Sequence, residues 1–216
     1  MLSVFVAIRL HSAVSAPLSE EKENASAVIL IDPGHGGEDG GASADGTLEK
    51  DVNLKISLTL ADMLRLCGYK IKLTRDGDYS IYDAGLNTIR EQKNSDLKNR
   101  LKLYNDCRLA IGIHQNHFTQ SQYYGTQIFY GINNSESMPL AKSIRESVLG
   151  MLQPENKREL KKATKDIYLL YNTNSPAIFV ECGFLSNPGE LAKLRDTGYQ
   201  QKMAYAITCG VLAYGP

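Results

Sequence analysis

The chain has 216 residues, with 24 acidic and 24 basic residues and therefore no net charge at pH 7. Proteins that bind nucleic acids usually carry an excess of basic residues, so the composition argues against a nucleic-acid partner. Hydrophobic residues make up 43% and charged residues 22% of the chain, as in ordinary globular proteins. The length fits one α/β domain with a large core.

The first 25 residues differ in composition from the rest of the chain. Residues 2–10 are mostly apolar, small residues follow at 12–16, and residues 19–24 are polar. This order is typical of an export signal followed by a short tether. We therefore predict that residues 1–25 are an export segment with a shortened start, that 26–216 form the folded domain, and that the protein acts outside the cytoplasm. In the mature part, no stretch is long and apolar enough to span a membrane.

Six short runs rich in β-branched, leucine and aromatic residues predict strands. They cover residues 27–31, 69–73, 109–113, 125–130, 167–171 and 177–180. Five segments with helical spacing of apolar residues alternate with them, at residues 48–67, 86–104, 139–152, 191–195 and 200–214. Strands that alternate with helices indicate a mainly parallel sheet. The predicted fold is a single α/β domain, with a sheet of about six strands and helices on both faces.

The first predicted helix has a signal at each end. Thr47 directly precedes its apolar pattern, and threonine is a favoured residue for capping the first turn. Gly68 directly follows the pattern, and glycine commonly terminates helices. We predict that Thr47 caps this helix and that Gly68 ends it.

The positions of the four cysteines do not indicate a disulfide framework. Cys67 and Cys209 fall within helical patterns, Cys107 lies between a helix and a strand, and Cys182 follows a strand. No Cys-x-x-Cys pair exists, so a zinc knuckle is not indicated. We predict buried free thiols.

Two histidines and two glutamates lie where the chain changes structural character. His35, His114 and Glu181 follow predicted strands, and Glu49 opens the first long helix. Because ligands of parallel sheets bind at the carboxyl ends of the strands, these side chains are expected to converge. A catalytic zinc ion takes three protein ligands and leaves one position for water. The set therefore predicts a zinc hydrolase with one general base.

Each of these residues also has a structural interpretation. Glu49 could merely stabilise its helix through the helix dipole, His35 could be a turn residue, and His114 could belong to the core. Glu181 ends an apolar strand, where a carboxylate is costly unless it is paired or functional. Its structural alternative is a salt bridge to a buried arginine, for which the candidates are Arg75 and Arg100.

Two other arrangements compete with the metal site, and one further histidine is an alternative ligand within it. Cys182 and His114 could form a thiol nucleophile pair, although Cys182 should face away from Glu181 on a strand. The glycine-rich loop at 34–37 could cradle phosphate, but it lacks the known phosphate-binding patterns. His117 could replace a histidine ligand, although a rim position is the preferred interpretation.

Aromatic and basic residues occur in the second half of the chain. Tyr123, Tyr124 and Tyr130 follow His114; they could pack internally or form a rim that contacts sugar or peptide. Lysines and one arginine are dense across residues 157–165, which is typical of a solvated surface.

Several motifs together resemble those of the zinc-dependent N-acetylmuramoyl-L-alanine amidases, which cut bacterial peptidoglycan. The matching segments are VILIDPGHGG (28–37), LEK (48–50), NL (53–54), LTR (73–75), IHQN (113–116) and PAIFVECGFLSN (176–187). They run in the family's order from about residue 27 onward. Gln115 departs from the family, because many members have alanine or serine at that position.

The resemblance implies a role for each matching residue. In that family, the residues that match His35, Glu49 and His114 bind zinc, and the one that matches Glu181 is catalytic. Members commonly carry an arginine and a lysine near the substrate, and Arg158 with Lys161 or Lys162 could fill these positions. We accordingly expect Asn116, Arg158 and Lys162 to contact substrate. The family's fold is a mixed, largely parallel sheet with flanking helices.

The implied activity is hydrolysis of the amide between the lactyl group of N-acetylmuramic acid and L-alanine of the stem peptide. The segment at 114–130 looks most like the germination-specific members from spore-forming bacteria, which process the spore cortex. Two alternatives remain: a cell-wall-binding protein that is non-catalytic or activated by a partner, and a zinc carboxypeptidase that acts on the stem peptide. Since the folded domain includes no separate wall-binding module, we expect a partner protein to localise or activate it.

Overall fold

The computed structural model describes residues 27–216. The predicted export segment at residues 1–25 lies outside this range, so its interpretation stays a prediction. In the described range, none of the helices has the length and apolar character needed to cross a membrane.

Eight strands and six helices follow one another along the described residues. The strands are β1 (Val28–Pro33), β2 (Ser43–Ala44), β3 (Thr47–Leu48), β4 (Lys70–Leu73), β5 (Leu109–Asn116), β6 (Gln127–Tyr130), β7 (Lys161–Lys162) and β8 (Ala177–Phe184). The helices are α1 (Glu49–Leu66), α2 (Ile89–Asn105), α3 (Ser137–Met151), α4 (Tyr168–Asn172), α5 (Pro188–Arg195) and α6 (Thr197–Tyr214). All predicted helices and all but one of the predicted strands are confirmed, with shifts of a few residues at their ends.

Six strands form the main sheet, in the order β4-β1-β5-β8-β6-β7. The four strands β4, β1, β5 and β8 run parallel to one another. Strand β6 is antiparallel to β8, and β7 is parallel to β6. The sheet is therefore mixed and largely parallel, as predicted. The carboxyl ends of β1, β5 and β8 meet at one end of the sheet, where ligands of such folds bind.

Both faces of the sheet are covered because the central strands are apolar on both sides. In β1, Ile29 and Ile31 pack in the larger core cluster, which includes residues of α1, α3, α5 and α6. Leu30 points to the other face and packs in a second cluster with Tyr104 of α2 and Leu170 of α4. Helices on both faces are thus confirmed. The smaller cluster lies under the cleft described below.

The strand predicted at residues 167–171 is wrong, since this segment is the short helix α4. A short apolar run of about 4–8 residues does not distinguish a strand from a buried helical segment. Leu169 and Leu170 are buried in the smaller core cluster as parts of a helix. The sixth strand of the sheet is instead β7, which consists of two exposed lysines paired with Phe129 and Tyr130. A short edge strand of lysines has no apolar signal in the sequence.

Helix α1 starts at Glu49, as predicted, but Thr47 does not cap it. Leu48 occupies the cap position, and no side chain bonds to the first turn there. The backbone N–H groups of Glu49 and Lys50 donate instead to carbonyl oxygens of the preceding loop, at 2.8 and 3.2 Å. These bonds satisfy donors that a capping side chain would otherwise serve. Gly68 does end the helix, with a left-handed φ of 91°.

All four cysteines are free, as predicted, but only Cys182 is fully buried. Cys67 is exposed at the end of α1, and Cys107 and Cys209 are partly exposed. The prediction of buried thiols is therefore wrong for three of them. Helical spacing had placed Cys67 on the apolar face, but it lies one residue beyond the last turn of the helix.

Candidate metal centre and cleft

The fold brings the four predicted residues to the carboxyl end of the sheet. His114 on β5 and Glu181 on β8 are direct partners in the strand register. Both strands run longer than predicted, so these two residues lie within the strands rather than just past them. His35 lies two residues beyond β1, and Glu49 is the first residue of α1.

His35, Glu49 and His114 form a compact group whose potential ligand atoms all lie within 4.8 Å of one another. Glu49 Oε1 lies 3.3 Å from His35 Nε2 and 3.1 Å from His114 Nδ1. Two imidazole nitrogens and a carboxylate oxygen are a donor set that zinc uses in catalytic sites. The structure thus brings the three predicted ligands together, and their chemistry fits a divalent metal ion.

Two glycines make this close approach possible. A Cβ atom at Gly34 would lie 2.2 Å from the His114 ring, and one at Gly41 would lie 2.6 Å from Glu49 Oε2. Gly41 also has a left-handed φ of 67°, which glycine adopts without steric cost. Glycine at these two positions is therefore needed for space around the ligands.

Charge around the group favours a cation. Burial alone would lower the pKa of His35, but hydrogen bonds with Asp39 and Glu49 raise it to about 9. Burial alone would raise the pKa of Glu49, but the two histidines hold it well below its usual range. A carboxylate that stays ionised beside two imidazoles supplies the negative charge that a metal ion requires.

The Glu49 carboxylate is also fixed by hydrogen bonds from its surroundings. Its Oε2 accepts from the backbone N–H of Ala42 at 2.9 Å. Its Oε1 accepts from the side chain of Asn53 at 3.3 Å and from the backbone N–H of Gln115 at 3.1 Å. Such supporting partners orient ligands and fix their position. The helix-dipole interpretation of Glu49 is therefore incomplete, because its carboxylate points at two histidines.

Two buried arginines hold the backbone of the loop that carries His35. Arg75 donates to the carbonyl oxygens of Pro33 and Gly34, both at 3.0 Å. Arg100 donates to the carbonyl oxygen of His35 at 2.9 Å and forms a buried ion pair with Asp32. Both guanidinium groups thus donate hydrogen bonds to the backbone of the loop. The alternative in which Glu181 pairs with Arg75 or Arg100 is wrong.

We expect Arg100→Met to lower the free energy of unfolding by about 3 kcal/mol, because it leaves Asp32 charged and buried without its partner. Urea denaturation monitored by circular dichroism measures this loss. Arg65→Met is the matched control, since Arg65 forms an exposed pair with Asp62 worth about 1 kcal/mol or less. Equal losses in the two variants would contradict a structural role for the buried pair.

Glu181 faces a cleft of about 250 Å³ that His35 and His114 also line. Its Oε2 is buried and has no hydrogen-bond partner in the described residues. Burial raises the pKa of Glu181 to about 7, and nearby Glu49 adds to this while the histidines oppose it. A carboxyl group with a pKa near the working pH can both accept and donate a proton. Such an unpaired group beside a metal-ligand set is a candidate acid–base residue.

The sequence profile of the N-acetylmuramoyl-L-alanine amidase family matches residues 29–213. The chain belongs to this family. It is 37% identical over 189 residues to the germination-specific N-acetylmuramoyl-L-alanine amidase of Bacillus subtilis. The aligned region covers 87% of this chain and 79% of that protein. The resemblance inferred from the motifs is confirmed, and so is the enzyme class.

Solved structures of amidases have the same fold. The CwlD amidase of Clostridioides difficile, in complex with the GerS lipoprotein, matches with a TM-score of 0.83 at 40% identity, over 88% of this chain and 98% of that one. The amidase AmiC2 of Nostoc punctiforme matches with a TM-score of 0.75 at 29% identity, over 88% and 97% of the two chains.

The structure of the amidase excludes the thiol nucleophile. The Cys182 side chain is packed in the larger core cluster, on the face of the sheet opposite the cleft. Its Sγ lies 3.6 Å from the carbonyl oxygen of Val180, and burial raises the pKa of the thiol. A buried neutral thiol is a poor nucleophile.

A phosphate cradle is excluded as well, because the amides of the glycine-rich loop already have partners. Gly34 N–H donates to the carbonyl oxygen of Ile113, and Gly36 N–H donates to that of Asp39. Gly37 N–H donates to the carboxylate of Asp78 at 2.9 Å. These groups are not free to bind an anion.

The predicted substrate-binding residues of the amidase do not line this cleft. Asn116 ends β5, and its side chain accepts from the N–H of His117. Arg158 stacks with its Cζ 4.4 Å from the ring centre of Phe184 and donates to the carbonyl oxygen of Tyr124 at 2.6 Å. Lys162 is exposed on the edge strand β7. Their contact with substrate stays a prediction.

Of the residues still to be placed, some lie on the surface and one lies beside the metal-ligand group. His117 is exposed and is not part of the ligand group. Tyr123 and Tyr124 are also exposed, which fits a rim. Asp39, which no sequence motif singled out, has its carboxylate 3.0 Å from His35 Nδ1. The sequence feature that could have indicated Asp39 is an acidic residue four positions after a candidate ligand, in the same loop.

Proposed function

We propose that this amidase hydrolyses the amide bond between the lactyl group of N-acetylmuramic acid and L-alanine of the peptidoglycan stem, with zinc held by His35, Glu49 and His114. The observation that carries the proposal is the group of two imidazoles and one carboxylate within 4.8 Å. It opens onto the same cleft as the unpaired carboxyl of Glu181. The family membership supplies the substrate class.

The proposed mechanism assigns one role to each of these residues. Zinc held by His35, Glu49 and His114 would supply Lewis-acid chemistry, which would polarise the amide carbonyl and acidify the attacking water. Glu181 accepts a proton from the water while the water oxygen adds to the carbonyl carbon. The carbon–nitrogen bond then breaks, and Glu181 donates its proton to the nitrogen of L-alanine. The pKa of Glu181, raised to about 7 by burial, suits both transfers.

Product analysis on purified peptidoglycan tests the reaction. The proposed amidase is expected to release intact stem peptides with a new amino terminus at L-alanine, and to leave the muramic acid carboxyl free. A zinc carboxypeptidase would instead release single D-alanine residues. A binding protein would release neither product, although it would sediment with the wall material. Chromatography with mass spectrometry separates the three results.

We further propose a role in the spore cortex. The similarity to the germination-specific amidase of Bacillus subtilis and to CwlD supports this. We expect the chain, produced in a Bacillus subtilis strain that lacks its germination-specific amidase, to restore muramic-δ-lactam in the cortex. The Glu181→Gln variant is the negative control. Stem-peptide release from vegetative walls without lactam in the cortex would contradict the spore role and leave the amidase reaction standing.

The proposal also includes action outside the cytoplasm and a protein partner. A probable cell wall amidase, LytH of Staphylococcus aureus, is 28% identical over 86% of this chain, which supports an extracytoplasmic site of action. The structure of CwlD with the GerS lipoprotein supports a lipoprotein as the partner. The start of the secreted protein, read by mass spectrometry, tests whether residues 1–25 are removed. Affinity purification from sporulating cells tests for the partner.

A further inference from the structure

Asp39 lies beside the metal-ligand group without belonging to it. Its Oδ2 lies 3.0 Å from Nδ1 of His35, whereas the three proposed ligands are His35, Glu49 and His114. We propose that Asp39 is a positioning residue, which orients the His35 ring so that Nε2 faces the metal-ligand group. This inference rests on the proposed zinc site.

The two nitrogens of His35 face different partners. Nε2 points to the ligand group, 3.3 Å from Glu49 Oε1, and Nδ1 points to Asp39. A neutral imidazole has one N–H donor and one lone pair. In the neutral ring that binds a metal ion, a carboxylate beside Nδ1 favours the tautomer with the N–H on that atom, and the lone pair of Nε2 then faces the ligand group. Carboxylate partners of this kind fix the tautomer and raise the basicity of metal-binding histidines.

Asp39 is itself held in place. Its backbone forms two hydrogen bonds with Gly36, at 2.9 and 3.1 Å, which close the turn that carries His35. Its Oδ1 accepts from the N–H of Gly41 at 3.3 Å, and its Oδ2 lies 3.3 Å from Nζ of Lys93. The carboxylate is therefore fixed within the loop before any metal arrives, and the ring of His35 is pre-oriented.

The two histidine ligands differ in what orients them. The ring of His114 stacks on Phe179, with centres 4.5 Å apart and an angle of 24°. In the described residues, the aromatic contact of His35 is edge-on to His114 at 5.3 Å, and its backbone has a left-handed φ of 64°. Within residues 27–216, His35 thus has no stacked aromatic neighbour, and the rotation of its ring is set by the contacts of Nδ1 with Asp39 and of Nε2 with Glu49.

Zinc affinity of the purified protein tests this role without any measurement of activity. We expect Asp39→Ala to weaken zinc binding by about 10- to 100-fold, the range found for partners of ligand histidines. Asp39→Asn should weaken it less, because the amide oxygen still accepts a hydrogen bond. Competition with a chromophoric zinc chelator gives the dissociation constants.

A spectroscopic measurement distinguishes the loss of His35 ring orientation from a general loosening of the metal-ligand group. In the zinc-saturated wild type, the proton on Nδ1 of His35 should resonate far downfield and exchange slowly with water. In Asp39→Ala this signal should disappear, while the ring signals of His114 stay in place. Zinc-bound histidines with a carboxylate partner keep this proton in a strong hydrogen bond.

Asp78→Ala is the matched control, because Asp78 binds the same loop at Gly37 N–H and pairs with Lys50 without contacting a ligand. We expect its zinc affinity to stay close to that of the wild type. Equal weakening in Asp39→Ala and Asp78→Ala would overturn the inference in favour of loop order. Unchanged affinity in Asp39→Ala would overturn it and leave the zinc site standing, whereas a wild type that binds no zinc would overturn the proposed function as well.

Discussion

Glu181→Gln is expected to lower kcat for stem-peptide release by about 10²- to 10⁴-fold, the usual contribution of a general acid–base group. Glutamine has nearly the same size as glutamate but neither accepts nor donates a proton at this step. Because Glu181 is not among the three grouped ligands, the variant should still bind about one zinc ion per chain. New amino groups released from purified peptidoglycan give the rate, and elemental analysis gives the zinc content.

The matched control for this variant is Glu146→Gln. Glu146 is an exposed carboxylate on α3, and its ion pair among the described residues is a long one with Lys142, at 3.9 Å. Its replacement makes the same chemical change away from the cleft, so activity should be retained. Full activity in Glu181→Gln would exclude Glu181 as the proton carrier. Loss of zinc together with activity in Glu181→Gln would instead indicate that Glu181 contributes to metal binding.

The sequence predicted that these four residues converge, because each lies beside a recognisable strand or helix, whereas their proposed roles came from the family motifs. Burial on both faces makes β1, β5 and β8 nearly continuous apolar runs, so the polar residue near the end of each run is conspicuous. Glu49 opens a helix with clear amphipathic spacing. The common direction of these strands then follows from the alternation of strands and helices.

The supporting contacts could not be predicted in the same way. Asp39 reaches His35 only because the loop turns back on itself with glycines at left-handed φ. Arg100 reaches the His35 carbonyl from α2, across 65 positions of sequence. Such contacts depend on tertiary packing and produce no periodic pattern in the sequence. The error at α4 has the same origin, since a short apolar run takes its conformation from its neighbours.

His114→Ala is expected to reduce bound zinc from about one ion per chain to near zero, because a catalytic zinc site retains only two protein ligands without it. Activity should fall with the metal. His35→Ala should behave in the same way. Elemental analysis of protein purified with added zinc measures the loss, and circular dichroism verifies that each variant is folded. The second check matters because His114 also packs on Phe179.

His117→Ala is the control that makes this result specific. His117 lies three residues after His114, at the same end of the sheet, but it is exposed and outside the ligand group. Since both variants remove an imidazole from the same segment, only the position relative to Glu49 distinguishes them. The proposed site requires zinc to be lost in His114→Ala and kept in His117→Ala. If the two results were reversed, His117 would be the third ligand, and the geometry around Glu49 would have to change on metal binding.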